Sequence, residues 1–116
     1  MGSLTIHVLD TANGLPAANL GIELYRIGSA GREYVKSART GSSGRPGAPM
    51  LAEAEFATGV WEVVFHASEY FAAAGTILPA PPFLDVISLR FGMASDEQYH
   101  VALLISPWSY TTYRGS

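Results

Sequence analysis

The 116-residue sequence predicts an all-β fold: an antiparallel Greek-key β-sandwich of seven to eight short strands with one short helix. Three observations carry this reading. Apolar residues recur with a period of two, the spacing of a strand with one buried face. Asn-Gly, Gly and Pro clusters interrupt those runs at short intervals. The chain has the length of one domain, residues 1–116, and a domain of this size buries roughly two-thirds of its unfolded surface, enough for a core without staples.

The elements follow in order. Leu4, Ile6 and Val8 alternate with Thr5, His7 and Leu9 in a first strand. Asn13-Gly14 and Pro16 then break it. Leu20 to Ile27 is a second strand, and Gly28-Ser29-Ala30-Gly31 is a hairpin connection into Glu33 to Arg39. Gly41 to Pro49 holds three glycines and two prolines around Arg45 and is a loop, followed by a weak edge strand over Met50 to Phe56. Gly59 to Ala67 places Trp61, Val63 and Phe65 on one face. Ser68 is the expected cap of a helix over Glu69 to Ala74, closed by Gly75. After the prolyl stretch Leu78 to Pro82, the last strands are Phe83 to Phe91, Tyr99 to Ser106 and Trp108 to Tyr113.

Composition narrows the function classes. No cysteine is present, so disulfides and thiolate metal sites are excluded, and a reducing, cytoplasmic location is expected. The formal net charge is -3 with scattered Lys and Arg, which argues against a nucleic-acid partner. No apolar run reaches the ~20 residues of a membrane span. Met1-Gly2-Ser3 runs straight into the first strand pattern, so no signal peptide is expected. A hydrophobic fraction of 48% and a mean hydropathy of +0.18 are high for a small monomer and point to a subunit interface.

Period-two geometry sends His7 and His100 to the face opposite the core. That outer face also carries Leu9, Ala102 and Leu104, so it is an apolar surface with two imidazoles. Neighbouring imidazoles near neutral pKa suit a general base and acid. Two histidines with no third ligand nearby make a poor zinc set, and no metal or cofactor is expected. Arg45, in a loop stiffened by Pro46 and Pro49, is suited to an anion or a polarised carbonyl. His66 falls at the surface. The ending Tyr113-Arg114-Gly115-Ser116 joins a rigid aromatic, a five-donor fork and a hydroxyl, a set suited to a flat, oxygen-rich ligand.

The segment from Leu4 to Ala17 resembles the first strand and turn of the transthyretin-like family. Thr40 to Arg45 is similar to that family's arginine-bearing loop, Tyr70-Phe71-Ala72 with Gly75 to its short helix, and Tyr99 to Ser116 to its last two strands. Ala102 departs from the proline usual in its hydrolases, and the two loop prolines and the Thr76 to Pro82 connection are also unusual. Within the family, a Tyr-Arg-Gly-Ser ending marks the 5-hydroxyisourate hydrolases rather than the hormone carriers. The resemblance therefore implies conversion of 5-hydroxyisourate to 2-oxo-4-hydroxy-4-carboxy-5-ureidoimidazoline in urate breakdown. It implies that His7, Arg45 and His100 are catalytic: the histidines activate water and move protons, and Arg45 steadies negative charge. It further implies that Tyr113 and Arg114 orient the ring beside His7 and Arg45, that Ser116 adds a hydroxyl, and that four copies assemble as a dimer of dimers. A non-catalytic carrier of a small aromatic ligand and a non-catalytic interaction module are the competing classes.

Overall fold

The computed structural model describes residues 1–116. In chain order its elements are β1 (Ser3–Asp10), β2 (Leu15–Pro16), β3 (Gly21–Gly28), β4 (Gly31–Arg39), β5 (Gly59–Phe65), α1 (Ala67–Ala73), β6 (Ile87–Met93), β7 (Gln98–Ile105) and β8 (Tyr110–Gly115). Two four-stranded sheets form, ordered β2-β1-β7-β8 and β4-β3-β5-β6. The alternation read from the sequence is the cause: Leu4, Ile6 and Val8 of β1, Val101, Leu103 and Ile105 of β7, Ile22 and Leu24 of β3, and Trp61, Val63 and Phe65 of β5 meet in one buried cluster. Each such side chain contributes about 1.5–3 kcal/mol by leaving water.

The sandwich is not antiparallel throughout. β1 and β7 run parallel over their whole length, Ser3 opposite Gln98 through Asp10 opposite Ile105, while every other strand pair is antiparallel. No short turn joins β1 to β7. The whole second sheet intervenes, and a long crossover is the connection a parallel pair requires.

Local chemistry moves several expected boundaries. Met50 to Phe56 is not a strand. Leu51 alone exchanges hydrogen bonds with Leu4, and the N–H groups of Glu55 and Phe56 turn back to Ala52 O. The helix begins at Ala67 with His66 in the cap position and no side-chain cap. Ser68 is unavailable for capping because its hydroxyl and its N–H both donate to Asp85. That same contact holds the residues before Ile87 against the helix, so β6 starts four residues later than the pattern suggests. Trp108 lies in the turn before β8, where Ser106 bonds to Ser109 through both backbone and side chain. His66 is half-buried rather than free at the surface, with Nε2 3.1 Å from Glu23 Oε1.

Asp10 ties the end of β1 to the helix. One carboxylate oxygen accepts the N–H groups of Ala12 and Asn13, and the other accepts Asn13 Nδ2 and the Tyr70 hydroxyl at 2.7 Å. Burial raises the Asp10 pKa, but these hydrogen bonds outweigh it and hold the carboxyl below its usual range. Burial, then Asp10, push the Tyr70 phenol up to about 12, so it remains a donor.

Candidate active site

The outer face of the first sheet carries the candidate site. Thr5 stands opposite His100, His7 opposite Ala102, and Leu9 opposite Leu104 across the parallel pair. On the other side of β7, Gly115 lies opposite His100 and Tyr113 opposite Ala102. Strand partners directly opposite share a face, so Thr5, His7, His100, Tyr113 and Gly115 line one surface. The methyl group of Ala102, the register partner of both His7 and Tyr113, forms its floor. The His7 and His100 rings are 6.5 Å apart, tilted by 40°.

Arg45 reaches this surface because its loop lies along the free edge of β1. Val8 N–H donates to Gly44 O, and Gly41 N–H to Arg45 O. Gly44 has φ +79°, and a Cβ there would collide with Val8 O. Only glycine meets both demands. The Gly44→Ala variant is expected to lose about 3 kcal/mol of stability, measurable by urea denaturation, because both backbone strain and a clash with fixed backbone arise. A loss within 0.5 kcal/mol would contradict this account of the loop.

The tight loop settles the state of His7. Its Nε2 is 3.0 Å from Ser43 O, and Arg45 Nη2 is 3.4 Å from its Nδ1. A carbonyl can only accept and a guanidinium can only donate. His7 is therefore the neutral tautomer with its proton on Nε2, donating to Ser43 and accepting from Arg45. Both ring nitrogens are committed.

His100 is different. Its Nδ1 is 2.7 Å from Thr5 Oγ1. An ideal Cβ on Gly115 would approach its Cδ2 to 2.5 Å, so the absent side chain at 115 makes room for the ring. Nδ1 thus faces β1 and Cδ2 faces β8, which turns the Nε2 edge outward from the sheet. Burial, then Arg45, then His7 push the His100 pKa below the ordinary imidazole value, and the ring is neutral near pH 7.

The residues of the C-terminal motif part company. Tyr113 is on the histidine face and exposed. Arg114 points the other way: Nη2 donates to Glu97 Oε1 at 2.6 Å and to Gln98 O at 3.0 Å, with its guanidinium 4.1 Å above the Tyr99 ring. Tyr99 is itself fixed, its hydroxyl accepting the N–H groups of Ala94 and Ser95. Arg114 therefore clamps the end of β8 and does not reach the face of His7. The signal was present in the sequence, because adjacent residues of a strand face opposite sides. Ser116 is exposed and follows Gly115 directly at the site's edge. Thr5, Ser43 and Glu97 carried no functional signal by residue type, and register alone brings them in. The structure holds no cluster of three or more His, Cys, Asp or Glu suited to a metal ion.

The profile described as HIUase/Transthyretin family matches residues 4–115. A protein named 5-hydroxyisourate hydrolase 2, from Rhizobium meliloti strain 1021, is 53% identical over 116 residues, covering 99% of this chain and 97% of its own. A crystal structure of (S)-allantoin synthase superposes with a TM-score of 0.92 at 47% identity. It covers 99% of this chain, which spans 44% of that one. Sea bream transthyretin in complex with thyroxine superposes with a TM-score of 0.86 at 27% identity, covering 97% of this chain and 94% of its own. The backbone is thus similar to proteins named for different activities, and the side chains on the outer face must separate them.

Proposed function

We infer, from the chain's membership of the HIUase/Transthyretin family, that it is an enzyme that hydrolyses 5-hydroxyisourate. The observation that carries this is the pair of imidazoles 6.5 Å apart on one sheet face, with Arg45 against one of them, beside 53% identity to a named hydrolase over nearly the whole chain. A carrier surface has no use for a neutral base beside a guanidinium, so the carrier reading is not favoured. No helix is long and apolar enough to cross a membrane.

The residue roles follow from the geometry as part of the same proposal. His100 is the general base, because its Nε2 edge faces outward while both nitrogens of His7 are engaged. Water gives a proton to His100 Nε2 as its oxygen bonds to a ring carbonyl carbon, and the carbonyl electron pair moves to oxygen. Arg45 stabilises that oxyanion, an electrostatic contribution of about 3 kcal/mol. The intermediate then collapses, the C–N bond breaks, and the ring nitrogen takes the proton back from His100. The product is the opened acid, 2-oxo-4-hydroxy-4-carboxy-5-ureidoimidazoline. His7 lines the site and holds Arg45 in place. Tyr113 stacks against the flat ring, and Ser116 offers a hydroxyl at the edge.

A homotetramer arranged as a dimer of dimers and a cytoplasmic location belong to this proposal. Two features support assembly. β8 and β6 are end strands of their sheets, and unpaired edges invite a second copy. Trp108, Tyr110 and Tyr113 are exposed beside one of these edges.

The test adds purified protein to freshly generated 5-hydroxyisourate and follows its ultraviolet decay, with sedimentation equilibrium on the same sample. Decay well above the buffer blank by a tetramer is expected. The Arg45→Met variant is expected to lower kcat about 100-fold, as loss of one oxyanion partner does. Decay at the blank rate with the intact protein would refute the enzyme reading.

A further inference from the structure

We propose that Thr5 is a positioning residue for the reaction: its hydroxyl accepts the Nδ1–H of His100 and thereby keeps the Nε2 lone pair turned outward as the base. The proposal rests on the hydrolase reading above but concerns a residue that reading does not use.

Four observations carry it. Thr5 Oγ1 lies 2.7 Å from His100 Nδ1, a short hydrogen bond between side chains. The two residues are directly opposite in the parallel ladder, so backbone register sets their spacing rather than side-chain flexibility. His100 is this hydroxyl's side-chain partner, and the ring is held on its other side by the space at Gly115. The ring is neutral, so its single N–H proton must sit on one nitrogen or the other, and that choice decides which nitrogen is basic.

Free neutral imidazole side chains in water favour the proton on Nε2. That tautomer would leave His100 with its lone pair on Nδ1, buried against β1 and out of reach of water in front of the sheet. A hydroxyl can accept from Nδ1–H or donate to a bare Nδ1; the base role requires the first arrangement, and that is the one proposed for the 2.7 Å contact. The same hydroxyl stays useful through the cycle: when Nε2 takes the proton from water, Nδ1–H still donates to Thr5, so the imidazolium is stabilised without any movement. No atom of Thr5 bonds to substrate in this scheme, and the proton passes between water, Nε2 and the leaving nitrogen. The charged and titratable groups that bear on His100 are Arg45 from the loop and His7 from β1, with Tyr113 of β8 on the same face.

The experiment compares the intact protein with Thr5→Val and Thr5→Ser. Valine has nearly the shape of threonine but cannot accept a hydrogen bond, whereas serine can. Thr5→Val is expected to lower kcat about 10- to 100-fold, the size of loss seen when the outer hydrogen-bond partner of a metal-ligating histidine is removed, with KM nearly unchanged. Thr5→Ser is expected to restore most of the rate. Nitrogen-15 spectra of the His100 ring supply a readout independent of turnover: Nδ1 protonated in the intact protein and in Thr5→Ser, Nε2 protonated in Thr5→Val. Wild-type kcat in Thr5→Val, or an Nε2-protonated ring in the intact protein, would overturn the proposal. An intact protein inert toward 5-hydroxyisourate, yet with His100 protonated on Nδ1, would refute the hydrolase reading and leave the Thr5 contact standing.

Discussion

His100→Asn is expected to lower kcat by about 100- to 10,000-fold, the span that a positioned general base contributes. Asparagine can still bond Thr5 and fills much of the same space, so the fold and assembly should survive. Circular dichroism and sedimentation distinguish lost chemistry from lost structure. His7→Asn is expected to be slow for a different reason, because it releases Arg45, and its loss should resemble that of Arg45→Met. Equal activity of either variant and the intact protein would remove that histidine from the mechanism. The pH profile supplies a second check. The His100 pKa lies below the ordinary value near 6.5, so the base stays neutral, and kcat/KM stays level, through the neutral range and falls only below it. The sign for stability follows from the same shift. The unfolded chain takes up the proton first as pH drops, so the stability tied to neutral His100 is complete above about 6.5 and declines below it. An acid limb centred above 6.5 would contradict this environment for the ring.

Gly115→Ala is expected to cost about 100-fold in kcat while the protein stays folded, with a melting temperature lower by about 4–8 °C. The added methyl carbon would stand 2.5 Å from His100 Cδ2 and 3.3 Å from Cγ, far inside contact distance. The imidazole cannot retreat toward β1 without compressing its 2.7 Å bond to Thr5. It must tilt, and a displacement of about 1 Å in a catalytic group is enough for a loss of this size. β8 is an end strand with mostly exposed side chains, so the sheet can absorb the strain at a cost of roughly 1–2 kcal/mol. Wild-type turnover in Gly115→Ala would show that the ring does not depend on the glycine.

These two positions show how legibility divides along the chain. His7 and His100 were readable as outward-facing from alternation alone, since Ile6 and Val8 on one strand and Val101 and Leu103 on the other occupy the core. That they meet was not readable. Their strands pair in parallel within one sheet although the entire second sheet separates them in sequence, and no local turn specifies that register. Arg45 was recognisable as a loop arginine, but its approach to His7 depends on Gly44 settling against Val8. As part of the Tyr-Arg-Gly-Ser ending, Arg114 is expected by resemblance to contact substrate. Alternation within β8 instead delivers it to Glu97 and Tyr99.

The fold class, the strands that build the core and the outward direction of the histidines are written into local sequence. All of these follow from a two-residue period and the chemistry of turns, which act within a few residues of one another. Long-range packing is what sets Thr5 against His100, commits both nitrogens of His7 to Ser43 and Arg45, and has the Tyr-Arg-Gly-Ser motif present Tyr113 to the site while its arginine anchors the strand from behind. Those contacts join residues separated by 16 to 95 positions, and only the packing of two sheets around one core sets their distances.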